Sequence, residues 1–372
     1  MRIVFISNFL NHHQLPLIRS LQQYFEEVKF ISTEIIPEER LQLGYDEMTK
    51  QEFLIDATDQ RNLDIAMSIC SDFEIAIIGS APDTFIHQRL IQNKITFRYM
   101  ERIFKQTDLL ALHPNMIRSI LVNHTKYRNR NLYLLCAGYN VKRDFSFYGA
   151  YPKKAFKWGY FPEFIEYSKD MLTRTLDNEV LKLIWVGRYL RWKHPDKMID
   201  VAKFLEKNKV KFQITMIGTG PLLDEFKNKI HRNRLDDYFC IMGSVNHKEV
   251  RDHLVRSDIF LFTSDRNEGW GAVLNEAMNS ACVIIANKSI GSTGYLIKHG
   301  ENGLLYKNDF ELYHALSLII QNPSIRIDMG LKAYDTIAEI WNSSVAAEHL
   351  YLLSKSLIEN RSVKLFGPCS RA

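Results

Sequence analysis

Short, almost wholly apolar segments alternate with helix-like segments along most of this chain, and the alternation begins twice. The first series contains RIVFISN, EVKFIST and FEIAIIGSA, and the second contains LKLIWVG, FQITMIG, IFLFTSD and CVIIANK. Strands that are apolar on both faces are typical of parallel sheets covered by helices on each side, and regular strand–helix alternation indicates α/β architecture. The sequence therefore predicts two doubly wound, Rossmann-like parallel-sheet domains.

The second series begins near residue 180, after an aromatic, proline-containing stretch without clear periodicity at residues 151–170. A chain of 372 residues has room for two cores. We expect one domain over residues 1–165 and a second over residues 166–335. A carboxyl-terminal helix and tail, residues 336–372, should pack back towards the first domain.

The composition excludes several classes of protein. A hydrophobic content of 46% and a charged content of 24% are ordinary for a soluble globular chain. No stretch reaches the roughly 18 uninterrupted apolar residues of a membrane span, and the amino terminus has the pattern of a buried strand, not of a signal peptide. The five cysteines are scattered and lack metal-ligand spacing, which favours a reducing cytoplasm and predicts no metal site.

Positive charge is concentrated in one part of the chain. Between Arg98 and Arg174 there are about 14 Lys/Arg against 6 Asp/Glu, although the whole chain carries only +5. The segment is either a solvated basic surface or a contact for an anionic ligand, membrane or nucleic acid. Its aromatic part, Lys142 to Lys157, fits either an anionic lipid surface or an ordinary core and surface. The aromatic side chains there are Phe145, Phe147, Tyr148, Tyr151 and Phe156.

Residues 268–276, EGWGAVLNE, place two carboxylates eight positions apart across a glycine-containing turn. Open parallel sheets bind ligands beyond the carboxyl ends of their strands, and this turn follows a strand that ends near Asp265. We expect a helix to begin near Gly271, where its first N–H groups would suit a diphosphate and Gly269 and Gly271 would let the backbone approach it. The apolar stripe of this helix is expected at Ala272, Val273, Ala277 and Ala281.

Two acids at this spacing match the two ends of a nucleotide sugar. Glu276, about one and a half turns into the helix, would accept hydrogen bonds from the vicinal diol of a ribose. Glu268, in the loop ahead of the helix, would do the same for hydroxyl groups of a second sugar. In an earlier strand-end loop, Arg188 and Lys193 would stabilise charge on a leaving phosphate. The alternative is that all four side chains are ordinary solvated charges.

Three stretches, in this order, resemble the family-4 glycosyltransferases, which are retaining enzymes of the GT-B fold. The match covers about residues 180–306, and its most specific element is the pair of glutamates with their inner glycines and the upstream arginine and lysine. The resemblance implies two Rossmann-like domains facing a cleft, of which the first takes the acceptor and the second the nucleotide sugar. The stretches are VGRYLRWKHPDKMIDVA, ITMIGTGPLLDEF and GSVNHKEVRDHLVRSDIFLFTSDRNEGWGAVLNEAM.

The resemblance also implies roles for individual residues. Arg188 and Lys193 would hold the donor diphosphate, Glu268 would contact the donor sugar and Glu276 would bind the ribose. Val245 would approach the base. Such enzymes use no cofactor and no obligatory metal, and they transfer the sugar with retention of its anomeric configuration. The backbone that would meet the phosphates is that of Gly269, Trp270, Gly271, Ala272 and Val273.

The amino-terminal half departs from the family pattern, and it is the half expected to bind the acceptor. Many relatives have a glycine pair in the first loop, where this chain has His12, His13 and Gln14. Glu101 and Arg102 stand where some relatives carry an acceptor-side histidine. The alternatives to acceptor contact are capping of the following helix by a histidine and ion pairing within the loop of Glu101 and Arg102.

A second departure follows the glutamate motif. Gly294 stands where relatives often carry glutamate, which leaves the roles of Ser292 and Thr293 open.

These features predict transfer of a hexose from a UDP- or GDP-linked sugar to a glycan, lipid-linked or other hydroxyl acceptor in capsular or other polysaccharide synthesis. We expect the reaction in the cytoplasm, with contact to anionic lipid at the inner face of the membrane and no nucleic acid partner. Two alternatives stay open: a nucleotide-sugar 2-epimerase of the same fold, and a non-enzymatic protein that binds an anionic polymer or a membrane through the basic segment. The sequence does not identify the donor base, the sugar, the acceptor or the oligomeric state.

Overall fold

The computed structural model describes residues 1–38, 45–173 and 179–372. The chain divides into two compact units, one formed by residues 1–163 with 340–372 and the other by residues 164–339. The boundaries expected from the sequence were placed after residues 165 and 335, a few residues from these positions.

The first unit is built on a seven-stranded sheet whose paired strands are all parallel. The strand order is β3-β2-β1-β4-β5-β6-β7, so the order along the chain reverses at β1 and β4. The strands are β1 (Arg2–Ser7), β2 (Glu27–Ser32), β3 (Leu54–Asp56), β4 (Ile75–Ile78), β5 (Ile95–Glu101), β6 (Leu132–Ala137) and β7 (Ala155–Trp158).

Helices between these strands bury one face against the sheet, as the burial of Ala66, Phe85, Ile120 and Phe145 in one core with the strand residues shows. Two short 3-10 turns, Asp108–Leu112 and Thr125–Tyr127, flank the fourth helix. The helices are α1 (Leu15–Leu21), α2 (Gln60–Asp72), α3 (Thr84–Ile91), α4 (Pro114–Asn123) and α5 (Val141–Ser146).

Three of the five aromatic rings in the basic segment after β6 are buried. Phe145, Tyr151 and Phe156 are buried, whereas Phe147 is exposed. Of the two alternatives left open by the sequence, an ordinary core describes these three rings: Phe145 and Tyr151 belong to the core of the unit, and Phe156 is buried within β7.

The second unit contains a six-stranded sheet, again with all paired strands parallel. Its order is β10-β9-β8-β11-β12-β13, with the reversal at β8 and β11. The predicted architecture of two doubly wound parallel-sheet domains is therefore confirmed. The strands are β8 (Leu181–Val186), β9 (Phe212–Ile217), β10 (Phe239–Gly243), β11 (Ile259–Phe262), β12 (Val283–Asn287) and β13 (Leu304–Tyr306).

Side-chain caps fix the start of two helices in this unit. Asn246 accepts a hydrogen bond from the Glu249 N–H, and Asn308 accepts one from the Glu311 N–H. The helices are α6 (Lys169–Thr173), α7 (Lys197–Lys207), α8 (Leu223–Arg232), α9 (His247–Val255), α10 (Val273–Asn279), α11 (Thr293–Leu296), α12 (Asp309–Gln321) and α13 (Pro323–Glu339).

The helix of the glutamate motif is shorter than expected. It begins at Val273, with Ala272 as its N-cap, and ends at Asn279. Ala281 lies beyond this end with φ +53°, so the expectation that it belongs to the apolar stripe is wrong. The backbone of Ala281 instead packs closely against α13, where a Cβ atom on Gly330 would lie 2.2 Å from the Ala281 carbonyl oxygen.

The carboxyl-terminal segment completes the first unit. α14 (Ser343–Ile358) packs against α1. The last residues then run along the open edge of β7, where the Lys157 N–H donates to Ser370 O and the Ala372 N–H donates to Ala155 O. This pairing covers an edge that would otherwise expose unpaired backbone groups. In the part of the chain that the structure describes, no helix is both long enough and apolar enough to cross a membrane.

Candidate functional site

The carboxyl ends of β8 and β11 lie side by side at the point where the strand order of the second sheet reverses. Ligands of open parallel sheets bind at such points. The loop after β8 carries Arg188 and Lys193, and the loop after β11 carries Glu268.

Hydrogen bonds tie these two loops together. The Trp185 indole N–H donates to Thr263 Oγ1 over 2.9 Å, and the Thr263 hydroxyl donates to the Lys193 carbonyl over 2.6 Å. The Asp265 N–H donates to the Trp192 carbonyl over 2.9 Å. The backbone that carries the predicted cation is therefore fixed to the backbone that carries the predicted acid.

The side chains of Lys193 and Glu268 form an ion pair. Lys193 Nζ donates to Glu268 Oε2, and Ser264 Oγ donates to the same oxygen over 2.9 Å. The two side chains are only 12% and 10% exposed, so the loss of one partner would leave the other charge poorly solvated. The structure thus brings two of the predicted catalytic residues together and adds Ser264, which no feature of the sequence singled out.

Arg188 lies in the same loop as Lys193 and is exposed. Glycines of the GTGP turn after β9 shape this loop, because a Cβ atom on Gly218 would lie 2.0 Å from the Gly187 carbonyl oxygen, and one on Gly220 would lie 2.7 Å from the Tyr189 nitrogen. The turn therefore supports the backbone around Arg188, and only glycine permits this approach.

Two glycines around the glutamate motif are required by packing. Gly271 has φ +80°, and a Cβ atom there would lie 2.3 Å from the ring of Phe262. A Cβ atom on Gly291, in the loop after β12, would lie 1.7 Å from the Gly269 carbonyl oxygen. These packing contacts are enough to require glycine at positions 271 and 291. A contact between this backbone and a phosphate stays a prediction.

Buried hydrogen bonds hold the rest of the motif in place. Trp270 is fully buried, and its indole N–H donates to Asn275 Oδ1 over 2.9 Å. Ser292 Oγ donates to the Trp270 carbonyl over 2.6 Å. Ala272 is buried and Val273 is partly exposed. Ser292, whose role the sequence left open, therefore supports the loop.

Glu276 is nearly buried and has a histidine partner. His247 Nε2 lies 2.9 Å from Glu276 Oε1, and the pair links α10 to the start of α9. Val245, predicted to approach the base, lies two residues before His247 and is partly buried. Sequence reasoning missed His247, although its place beside Val245 in a strand-end loop was a usable signal.

The first unit has a cavity of about 510 Å³ at the carboxyl ends of its strands. Three of the five predicted acceptor-side residues line it: His13, Gln14 and Glu101. Aromatic rings form much of the wall. They belong to Phe5, Phe9, Tyr99, Trp158, Tyr160 and Phe161.

Glu101 is the carboxylate of this cavity, and two donors hold it. The Tyr160 hydroxyl donates to Oε1 over 2.7 Å, and Lys105 Nζ donates to Oε2 over 2.6 Å. The His13 ring stacks on the Tyr160 ring with 5.5 Å between centroids. Desolvation, and then the nearby carboxylate, raise the pKa of Tyr160 well above its ordinary value. Tyr160 is therefore a protonated donor to Glu101 at neutral pH.

Arg102 and His12 are not among the residues that line the cavity. Arg102 is buried, with Nη2 3.3 Å from Asp108 Oδ1 and 3.4 Å from Asp144 Oδ1. Arg102 therefore forms ion pairs, which was the alternative to acceptor contact. His12 lies against His13, with ring centroids 3.7 Å apart.

The second unit matches a known protein family. Residues 172–336 fit the model of the family described as glycosyl transferases group 1, and this range contains Lys193, Glu268 and Glu276. An uncharacterized glycosyltransferase of Methanocaldococcus jannaschii, MJ1069, is 28% identical over 165 residues, which are 44% of this chain and 42% of that protein.

A second relative is named for its reaction. The 2-deoxystreptamine N-acetyl-D-glucosaminyltransferase of Niallia circulans is 27% identical over 123 residues, which are 33% of this chain and 31% of that protein. The chain thus spans less than half the length of these curated relatives.

The fold has close counterparts among solved structures. The crystal structure of Anabaena Alr3699/HepE in complex with UDP has a TM-score of 0.72 to this chain at 13% identity, over 96% of this chain and 100% of that chain. At this identity the similarity establishes the fold alone. This chain therefore has the GT-B fold, and its residues 172–336 match the model of the glycosyl transferases group 1 family.

Proposed function

We propose that this chain is a retaining glycosyltransferase that moves a hexose from a nucleotide-diphosphate sugar to a hydroxyl group of a glycan or lipid-linked acceptor in polysaccharide synthesis. The observation that carries the proposal is the buried Lys193–Glu268 pair at the adjoining ends of β8 and β11, inside the matched family domain. A UDP-linked donor is favoured, because Anabaena Alr3699/HepE, which shares the fold, was crystallised with UDP.

Lys193 supports this proposal through the number of hydrogen bonds that its ammonium group can donate. An ammonium group has three N–H donors, and Glu268 takes one of them. In the proposed complex, Lys193 keeps Glu268 and donates a second hydrogen bond to a phosphate oxygen, while exposed Arg188 contacts the same diphosphate. Glu268 then accepts a hydrogen bond from a hydroxyl group of the donor sugar.

Glu276 supports a ribose contact. His247 fixes one of its oxygens, which restricts rotation of the carboxylate before any ligand arrives. A carboxylate so restricted loses less entropy when it accepts hydrogen bonds from a ribose diol. We propose that Val245, in the loop that carries His247, contacts the base, and that the backbone from Gly269 to Val273 faces the phosphates.

The proposed reaction exchanges one bond to the anomeric carbon for another on the same face of the sugar. The bond from that carbon to the phosphate oxygen breaks, and its electron pair stays on the phosphate. The acceptor oxygen forms the new bond, and its proton passes to the leaving phosphate. Arg188 and Lys193 offset the charge that develops there, so we propose that no cofactor and no obligatory metal take part.

The first unit's cavity suits a hydroxylated ring as acceptor. Its volume lies in the usual range for small-ligand sites, and aromatic walls with a few polar groups are typical of them. Gln14 Oε1 is buried and accepts no hydrogen bond from the residues that the structure describes. We propose that Gln14, Glu101 and His13 contact the acceptor, and that the reaction takes place in the cytoplasm.

Transfer can be measured with the purified chain, UDP-, GDP- and ADP-linked sugars, and a panel of hydroxyl acceptors, with and without EDTA. We expect acceptor-dependent nucleotide release from one nucleotide class, undiminished by EDTA, and a product whose anomeric configuration matches the donor. Lys193→Ala and Glu268→Gln should lower the rate by orders of magnitude, while the matched variant of an exposed lysine, Lys209→Ala, should leave it unchanged. Unchanged turnover in Lys193→Ala, or an epimerised nucleotide sugar as the product, would contradict the proposal.

A further inference from the structure

Five large apolar side chains of the first unit are exposed between residues 109 and 147. They are 44–72% exposed, whereas the rings of Phe145 and Tyr151 nearby are buried. Isolated exposed apolar side chains are ordinary, but a group of them marks an interaction surface. The five are Leu109, Leu112, Leu121, Val122 and Phe147; together with the exposed cations described below, we call them the apolar–basic surface.

The elements that carry these side chains pack against one another. α4 contacts both the 3-10 turn Asp108–Leu112 and the 3-10 turn Thr125–Tyr127. Tyr148 joins the loop after α5 to both turns, because its hydroxyl donates to the Ala111 carbonyl and its own carbonyl accepts from the Thr125 hydroxyl over 3.0 Å. Phe147, the neighbour of Tyr148, therefore lies on the same side of the unit as the exposed leucines.

α4 presents one face to the core and another outwards. Ile120 is buried in the core and Met116, four residues earlier, packs against it. A shallow groove of about 380 Å³ runs along the outward face. It is lined by Pro114, Ile117, Arg118, Leu121 and Val122, which recur at the spacing of one helical face.

The segment that carries the apolar side chains is rich in positive charge. Residues 105–147 contain seven Lys/Arg and two Asp, and of the two acids Asp144 is buried. Asp108 is half exposed and pairs with Arg143 over 2.9 Å and with Arg102. The exposed cations of the surface are Arg118, Lys126, Arg128, Arg130, Lys142 and Arg143.

We propose that the apolar–basic surface docks onto a bilayer that contains anionic lipid. Leucine and phenylalanine side chains enter the boundary between headgroups and acyl chains, while lysine and arginine bind the anionic headgroups around them. A second copy of this chain fits poorly, because a two-fold contact would press the same cations against each other. A nucleic acid would use the cations but leave five exposed apolar side chains without a partner.

The docking surface is independent of the chemistry proposed for the second unit. Vesicle binding requires no donor, so it can succeed or fail whatever the result of the transfer assay. If the docking proposal and the transfer proposal both hold, the acceptor is one that is presented at a membrane surface.

Cosedimentation of the full chain with vesicles tests the proposal. Phosphatidylcholine vesicles with about one third phosphatidylglycerol should bind the chain, and pure phosphatidylcholine vesicles should bind it far less. The double variant Leu112→Asn/Leu121→Asn should weaken binding by roughly tenfold, and Arg118→Gln/Lys126→Gln by several-fold with a shallower dependence on salt. The matched controls are Ile91→Asn and Phe310→Asn, which replace side chains that are 79% and 81% exposed outside this surface.

All these side chains are exposed, so the variants should unfold at the wild-type temperature, which is checked first. Binding that the leucine variant weakens and the controls leave intact supports the proposal. No binding to anionic vesicles overturns it. Equal vesicle binding by the leucine variant and the wild type would also overturn it, because it would show adsorption by charge alone. A wild-type dimer that the leucine variant converts to a monomer, with unchanged vesicle binding, would overturn it as well.

Discussion

The strand-end loops of the second unit and the cavity of the first unit hold their polar groups in different ways. In the second unit, side chains pair across neighbouring elements: Lys193 forms an ion pair with Glu268, and His247 forms a hydrogen bond with Glu276. In the first unit, one carboxylate, Glu101, sits among aromatic rings and is held by Tyr160 and Lys105. The Lys193–Glu268 pair of the second unit can exchange a partner for a charged ligand. Glu101 of the first unit instead offers hydrogen bonds beside apolar ring faces.

This difference matches the two kinds of ligand that the proposed reaction needs. A diphosphate requires cations that are already fixed in place, since their attraction is strong only where water is scarce. A neutral hydroxylated ring requires a flat apolar wall and a few acceptors, which six aromatic side chains and Glu101 supply. Variants that weaken the binding of one ligand and spare the other would distinguish the two sites.

The largest effect is expected from Lys193→Ala. It removes the cation from a site where both side chains of the pair are about nine-tenths buried, and leaves Glu268 with the hydrogen bond from Ser264. We expect kcat to fall by roughly 10³-fold, because the developing phosphate charge loses a fixed partner. Steady-state nucleotide release measures this loss. If kcat stays intact and only the KM for the acceptor changes, the assignment of the two units is reversed.

Gly291→Ala tests whether the glycine contacts hold the donor side together. The new Cβ atom would lie 1.7 Å from the Gly269 carbonyl oxygen, and backbone there cannot yield. We expect a loss of about 3 kcal/mol in the free energy of unfolding, measured by urea titration. Gly187→Ala is the matched control, because its Cβ atom would meet side chains and no backbone: the Trp185 ring at 3.3 Å and Lys193 Cδ at 3.7 Å. Equal losses in the two variants would argue against a rigid loop.

Glu276→Gln sharpens the assignment of the ribose contact. The amide can still accept from His247, so the fold should persist, but it presents one oxygen instead of two. We expect the nucleotide dissociation constant to rise roughly tenfold with little change in kcat, as calorimetric titration would measure. Glu225→Gln, at an exposed acid of α8, is the control. A loss confined to kcat would move Glu276 from binding to chemistry.

The smallest effect is expected from Tyr160→Phe in the first unit. The ring stack with His13 remains, and only the hydroxyl that donates to Glu101 over 2.7 Å is lost. We expect the KM for the acceptor to rise by roughly three- to tenfold, with donor affinity unchanged. Initial-rate kinetics with each substrate varied in turn separate the two. Tyr24→Phe, at a ring that packs against Tyr351, provides the baseline.

The donor side was predictable because its signal is local in the sequence. The carboxylates and glycines of residues 268–276 stand within nine positions, directly after a strand whose apolar pattern is unmistakable. The partners that hold them were not predictable in the same way. His247 reaches Glu276 from 29 positions away, and no periodicity links a residue of one strand-end loop to a helix that follows another strand.

The acceptor side was less predictable because its residues are scattered. Tyr160 and Glu101 are 59 positions apart and meet only because β5, β6 and β7 are neighbours. Arg102 was expected to face the acceptor and pairs with Asp108 and Asp144 instead, since a buried guanidinium needs carboxylates near it. Sequence reasoning also missed the exposed leucines around α4, because an apolar run with helical spacing reads as core.

Calorimetric titration of the intact chain with UDP-, GDP- and ADP-linked sugars, in the presence of EDTA, measures whether the second unit binds a nucleotide sugar. We expect saturable binding of one nucleotide sugar per chain, weakened strongly in Lys193→Ala and Glu276→Gln and unchanged in Lys209→Ala. Absence of binding by every uridine, guanosine and adenosine diphosphate sugar, or equal affinity in all these variants, would show that the adjoining ends of β8 and β11 are not the donor site.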